Sequence, residues 1–229
     1  MPPTFSIIIP AHNEENYIRP TLHALKLQTF QNFETIVVSN GCTDKTEEIV
    51  NKRVDDSLKH FTLPQANVSI ARNYGARQAQ GEVLVFLDAD TSLQPDSLQK
   101  INQQFGSEHS VGTTLSLPDS QEFRYKFATA FKNFYHKAWL YQGCSGALIC
   151  RRELFHDVGG YPEIPVKEHR KLILKLKKEG KFKCVDTYVT TSMRRYKKWG
   201  LTKSALYWTW QWMKNYVGDL KSSVYEKVR

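Results

Sequence analysis

The sequence predicts an α/β protein built on a mostly parallel sheet with helices on both faces, and three observations carry that prediction. Short apolar runs recur at residues 5–9, 34–38 and 82–87. Such runs suit strands that are covered on both sides. Segments with apolar residues at helical spacing separate them, beginning with Ile18, Leu22 and Leu25. The resulting order, βαβαβαβ, calls for parallel strands joined by helices that pack on the sheet.

The elements follow in order. The first strand is closed by Pro10, and its exit reads Pro10-Ala11-His12-Asn13-Glu14, with Asn13 as N-cap of the first helix. The second strand ends in Ser39-Asn40-Gly41-Cys42-Thr43-Asp44 ahead of a helix through Ile49 and Val50. A short third strand is placed at 60–63. A helix over 69–80 carries Arg72 and Asn73 near its start and leads to the strand that stops at Asp88-Ala89-Asp90. Further on, 97–105 reads as helix, 111–117 as strand and 122–141 as a long aromatic and basic stretch. After the small-residue loop Gly143-Cys144-Ser145-Gly146, a helix over 167–179 is stopped by Gly180. Separate strands through Cys184 and Val185 and over 188–191 lead into Ser192-Met193-Arg194-Arg195-Tyr196. Residues 1–200 are read as one domain, and 201–229, with Trp208, Trp210 and Trp212, as an amphipathic helical extension.

At 229 residues the chain suffices for one large α/β domain with an appendage. Its formal charge of +9 fits an anionic partner or simply a solvated basic surface. The lysines are scattered and no nucleic-acid recognition motif appears, so no nucleic acid is expected. Cys42, Cys144, Cys150 and Cys184 form no CxxC pair and read as reduced thiols. The first residues lack a signal peptide's basic region and long apolar core, and no run reaches the ~18 apolar residues of a spanning helix. The expectation is a cytoplasmic protein. Its aromatic and basic stretches, 122–141 and 201–217, have two readings: core stripes, or interfacial helices peripheral on the inner face of a membrane.

The chemistry concentrates at Asp88-Ala89-Asp90. Two carboxylates where a buried strand emerges cannot both stay ionised at close range without a cation or a set of donors. A hard divalent ion such as Mg²⁺ or Mn²⁺ takes one or two carboxylates and completes its shell with water and phosphate oxygens. The plainer reading makes Asp88 a cap and Asp90 the start of a turn. Asn13, Ser39, Asn40 and Asp88 all fall at the carboxyl ends of strands, where open α/β sheets bind ligands.

The segments SIIIPAHNEENYI, ETIVVSNGCTDKT, SIARNYGARQAQGEVLVFLDADT and GCSGALICRRELFHDVGGYPE, with the helix at Glu168, resemble in order and spacing the family 2 glycosyltransferases of the GT-A fold, a Rossmann-like architecture. The resemblance covers most of residues 5–180. It implies a metal-dependent inverting transfer of a sugar from a nucleotide-diphosphate donor, a UDP- or GDP-sugar, to a saccharide hydroxyl or a polyprenyl phosphate. It also implies a site. Pro10, Ala11, Asn13 and Glu14 would line the nucleoside pocket, with Ser39 and Asn40 beside the base and Arg72 approaching base or diphosphate. Asp88 and Asp90 would hold Mn²⁺ or Mg²⁺, with Asp90 the more direct ligand, and Arg194 and Arg195 would reach the diphosphate.

Three departures stand out. Ser39 and Asn40 replace the usual base-binding Asp, and Thr91 stands where a further Asp is common. Glu168-His169 replaces the usual catalytic Glu-Asp, with Lys171 where a later Asp falls. Transfer to a hydroxyl needs a general base, which either Glu168 or His169 supplies, whereas a phosphate acceptor needs none. Two alternatives remain open: a nucleotidyltransferase of the same fold and a non-catalytic nucleotide-sugar-binding module.

Overall fold

The first strand, β1 (Phe5–Ala11), is buried along its whole length. Period-two alternation sends Phe5, Ile7, Ile9 and Ala11 into one core and Ile8 into another. A strand so covered must lie in the middle of a sheet, and it does. In this computed structural model, which describes residues 2–138, 142–164, 166–204, 206–207 and 209–210, the strands form one sheet in the order β3-β2-β1-β4-β7-β6-β8-β5. The remaining strands are β2 (Phe33–Asn40), β3 (Leu58–Leu63), β4 (Val83–Phe86), β5 (Thr91–Leu93), β6 (His109–Pro118), β7 (Leu148–Arg151) and β8 (Lys181–Thr191).

Helices α1 (Ile18–Lys26), α2 (Thr46–Asn51) and α4 (Ser97–Gln104) cover one face, burying Ile18, Leu22, Leu25, Val50 and Leu98 against it. The other face is covered by α3 (Val68–Gln78), α6 (Arg152–Asp157) and α7 (Glu168–Leu176), through Ala71, Phe155, Leu172 and Ile173. Helix α5 (Phe123–Lys137) packs beside β6, and α8 (Arg194–Trp199) follows β8.

The first half is parallel as expected, with β1 between β2 and β4 and β3 outside β2. The register pairs Ala11 with Ser39 and Ile8 with Phe86, so the carboxyl ends of β1, β2 and β4 meet along one edge.

The second half differs in three ways. Strand β7 enters antiparallel between β4 and β6. The two short strands expected near 184–191 are one strand, β8, because parallel pairing with β6 continues through register shifts that absorb the break. Directly after the paired aspartates, Thr91–Leu93 forms β5 and closes the far edge against β8. Asn13 is also not the cap of α1, which starts five residues later at Ile18. It adopts a left-handed backbone (φ 54°), and its side chain is spent on Thr43. Trp139, Tyr141, Trp208 and residues 211–229, including Trp212, lie outside the described residues, and with them most of the expected extension.

Gly75 sets how closely α3 approaches the sheet. A Cβ there would come 2.6 Å from Ile8 Cγ2 and 3.3 Å from Val38 Cγ2. Alanine is favoured over glycine in a helix by about 1 kcal/mol, but overpacking a core costs about 1–3 kcal/mol. Gly75→Ala is therefore expected to lower the urea midpoint of unfolding; an unchanged or raised midpoint would remove this account of the α3 approach.

Candidate active site

Helix α3 begins at an N-cap, with Asn67 Oδ1 accepting from the Ile70 amide at 3.1 Å, which places Arg72 on the turn over the carboxyl end of β4. Arg72 is only 3% exposed, so its charge must be met by protein. Nη2 donates to Asp88 Oδ1 at 2.8 Å and Nη1 donates to Glu168 Oε1 at 2.9 Å. The guanidinium also lies over the Tyr161 ring, 5.2 Å from its centroid. Burial works against the charge on Arg72, yet Asp88, then Tyr161 and Glu168, raise its proton affinity above the usual arginine value. Asp88 is walled by protein but 57% exposed to solvent within the crevice. Burial would raise its carboxyl, and the Arg72 guanidinium prevails, holding it below the usual range.

Tyr161 is held by two hydrogen bonds with Asn73, one to its carbonyl and one from its amide, each 2.9 Å. Gly159 and Gly160, at φ 77° and 64°, make the turn that delivers it. A Cβ on Gly160 would strike Asn73 Oδ1 at 2.7 Å.

The second arginine, Arg194, opens α8 and closes the crevice from the far end of the chain. Its fork donates to both carboxylate oxygens of Glu14 at 2.7 Å, and Nη2 reaches Asp90 Oδ2 at 3.0 Å. Its guanidinium stacks on Tyr17 at 4.4 Å. Asp90 is pushed up to about 6 by burial and by the neighbouring Asp88 charge, with Arg194 opposing. An ionised Asp90 is thus undercompensated in the protein alone. Arg195 lies over Trp199 and acts electrostatically on Asp88.

The ends of β1 and β2 hold the other expected residues. Asn40 Nδ2 donates to Ala11 O at 2.8 Å, and Asn13 Oδ1 accepts from the Thr43 amide at 2.8 Å, so both amides brace loops around Pro10 and Ala11. Ser39 is fully buried, with Oγ 2.8 Å from His60 Nε2. His60 Nδ1 lies 2.7 Å from Asn51 Oδ1. If the Asn51 oxygen accepts, Nδ1 carries the proton and Ser39 donates to Nε2; we assign the pair so.

The family model described as glycosyl transferase family 2 matches residues 6–159. The chain belongs to that family. An uncharacterised glycosyltransferase of Haemophilus influenzae is 37% identical over 101 residues, and the match covers 43% of this chain and 40% of that one. Staphylococcus aureus TarS, solved with UDP-GlcNAc, aligns with a TM-score of 0.64 at 21% identity over 82% of this chain and 58% of that one. The mannosyltransferase PcManGT from Pyrobaculum calidifontis, solved with GDP-Man and Mn²⁺, aligns at 0.69 and 19% identity over 83% and 57%. These likenesses show the GT-A fold. The chain spans less than two thirds of the length of each.

In this family 2 chain the paired aspartates and the Glu168-His169 step face one another through Arg72. Lys167, just before α7, takes a left-handed backbone (φ 64°), which is strained for a side chain other than glycine. His169 Nε2 stands 3.6 Å from Glu168 Oε1, and Nδ1 lies 3.0 Å from the Tyr161 hydroxyl. We assign the Nε2–H tautomer, with Tyr161 donating to Nδ1. Burial, then the Arg72 charge, lowers His169 to about 4, so it is neutral at physiological pH.

The structure therefore gathers Glu14, Arg72, Asp88, Asp90, Glu168, His169 and Arg194 at one crevice, with Pro10, Ala11, Asn13, Ser39 and Asn40 at its β1–β2 end. Sequence reasoning gave no role to Tyr161, Asn73 or Tyr17. Gly159-Gly160-Tyr161 was the available signal, since paired glycines imply a backbone path that something requires. Among the described residues no further carboxylate, histidine or thiol joins Asp88 and Asp90 in a group of three. Two carboxylates, one of them undercompensated, fit a hard divalent cation that shares its shell with substrate oxygens.

The depressed His169 value has a stability consequence. The unfolded chain takes up a proton near 6.5 that the folded chain refuses until about 4, so stability is full above 6.5 and declines as pH falls through that window. The loss is at most roughly 3.5 kcal/mol at about 1.4 kcal/mol per unit. His169→Gln cannot titrate, so wild type should lose stability relative to this variant between pH 7 and pH 4.5 in urea unfolding. Parallel pH profiles would refute the buried neutral imidazole.

Proposed function

We propose that this chain carries the catalytic domain of a metal-dependent inverting glycosyltransferase that moves a sugar from a UDP- or GDP-sugar to an acceptor hydroxyl. The observation that supports the reading most is the Arg72 bridge, which ties the paired aspartates at the end of β4 to Glu168 at the start of α7. The nucleotide sugars with which TarS and PcManGT were solved, and the Mn²⁺ of the latter, support the donor class. Asp90 and Asp88 would hold Mn²⁺ or Mg²⁺, which would stabilise charge on the leaving diphosphate as a Lewis acid.

The chain's own residues do the rest. The β1–β2 end would take the nucleoside against Pro10 and Ala11, leaving the diphosphate toward Asp88 and Asp90. Arg194 and Arg195 would add positive charge at the diphosphate end. Glu168 is the general base in this reading. Arg72 and His169 both address Oε1, which leaves Oε2 to receive the acceptor proton as the new glycosidic bond forms and the bond to diphosphate breaks. His169, neutral and bonded to Tyr161, orients the base and takes no proton itself.

Thermal unfolding with UDP, GDP, CDP, ADP or dTDP, each with Mn²⁺, Mg²⁺ or EDTA, tests the donor site. One nucleoside diphosphate is expected to stabilise the protein in a metal-dependent way, by about 2.7 kcal/mol at a hundredfold excess over Kd. Asp90→Asn should lose that metal dependence. No stabilisation by any of the five, or an unaltered response in Asp90→Asn, would overturn the assignment.

Glu168→Gln should keep the nucleotide response while turnover, followed as nucleoside diphosphate release, falls roughly 10²–10⁴-fold. Undiminished turnover would remove Glu168 as base. Release of inorganic diphosphate instead would identify a nucleotidyltransferase.

A further inference from the structure

Helix α5 is inside out. The residues it turns inward are Tyr125, Thr129, Asn133 and His136, and three of these four are polar or titratable residues without a large apolar side chain. Asn133 grips the backbone of Ser116 from both sides, accepting from its amide at 3.0 Å and donating to its carbonyl at 2.7 Å. Its outward residues are Phe123, Phe127, Phe131 and Phe134, exposed by 80%, 62%, 55% and 61%. The first three stack in a ladder, with centroids 6.1 and 6.5 Å apart, and Tyr135 extends it at 4.8 Å. A continuous aromatic stripe that faces water and touches only itself adds little to the fold and marks a surface made to be covered.

Charge decides what covers it. Between Phe123 and Lys137 the helix has no acidic residue, and Arg124, Lys126, Lys132 and Lys137 flank the aromatic ladder; Arg124 pairs with Glu122 and Lys137 with Asp186, both exposed pairs of little net strength that lipid phosphates can replace. A second copy would bring another formal charge of +9. Residues 211–229 hold Lys214, Lys221, Lys227 and Arg229 against Asp219 and Glu226, so they too would bring like charge. An anionic lipid surface satisfies both halves of the helix, with rings at the headgroup boundary and basic side chains on lipid phosphates. We infer that α5 docks this chain on an anionic membrane through Phe123, Phe127, Phe131 and Phe134.

The placement of α5 gives the docking a consequence. Lys132 Nζ donates to Ser145 O at 2.8 Å, and its charge acts on Asp88, so the helix borders the crevice. Docking brings the crevice to the bilayer, where a lipid-borne acceptor is met. That consequence rests on the transferase reading, whereas the docking itself does not.

The test is flotation of the full chain with vesicles of phosphatidylcholine alone or mixed with phosphatidylglycerol, without donor or metal. Binding is expected only to the anionic vesicles and should weaken as salt rises. Phe127→Ser/Phe131→Ser should reduce vesicle affinity at least about tenfold while the thermal midpoint falls only slightly, since the rings stack on one another along the helix and on no core residue. Lys126→Glu should weaken binding to the anionic vesicles. No flotation with phosphatidylglycerol at low salt, or undiminished flotation of the double variant, would overturn the proposal. A midpoint lowered as far as the loss of buried aromatic rings lowers it, about 3 kcal/mol or more, would also overturn it, because the stripe would then be covered by protein: by a second copy if sedimentation shows a dimer that the variant dissolves, otherwise by the chain's own residues.

Discussion

The constraint on which the rest of the structure depends is the burial of one guanidinium. Arg72 cannot shed its proton, and it cannot remain charged in the interior without carboxylates in register with its fork. It finds them 16 residues away in Asp88 and 96 residues away in Glu168. Those partners close only if β4 stops at Phe86, if α7 begins at Glu168 and if α3 lies close on β1 and β2, so one charge holds three elements to a common edge. Tyr161 completes the shell with its ring, and the Gly159-Gly160 turn exists to bring it there.

Around that centre the charges do not balance. Glu14, Asp88, Asp90 and Glu168 are met by the forks of Arg72 and Arg194, while His169 is neutral. The surplus falls on Asp90, whose carboxyl is raised to about 6 by burial first and then by the Asp88 charge. A site with surplus carboxylate charge beside cationic groups suits a divalent ion bound together with an anionic substrate, because neither alone neutralises it. Arg194 adds a positional device. It joins the loop after β1, the paired aspartates and the helix after β8, so the far end of the chain is needed to finish a site that the first strands begin.

The parallel half was legible because strands covered on both faces announce themselves as unbroken apolar runs, and their exits carried the polar residues that form the crevice. Asp88, Asp90, Glu14 and Glu168 were all placed from that logic and from the family resemblance. The antiparallel entry of β7 and the continuous β8 were not legible, since strand direction follows from tertiary pairing and leaves little mark on periodicity. Asn13 misled for a local reason: an Asn before a helical pattern reads as a cap, but its amide is consumed by Thr43. In α5 the aromatic spacing was visible, and its direction was not. A stripe at helical period looks alike whether it faces core or solvent, and only the Asn133 grip on Ser116 shows which way the helix turns.

Ser39 shows how a departure from the family pattern is carried by a second residue. The site usually has a carboxylate there, which accepts hydrogen bonds and cannot donate. His60, with Nδ1 protonated toward Asn51, presents an acceptor at Nε2, and only a donor such as the Ser39 hydroxyl satisfies it. A carboxylate at position 39 would oppose that lone pair in a fully buried setting, so Ser39 and His60 form a matched pair.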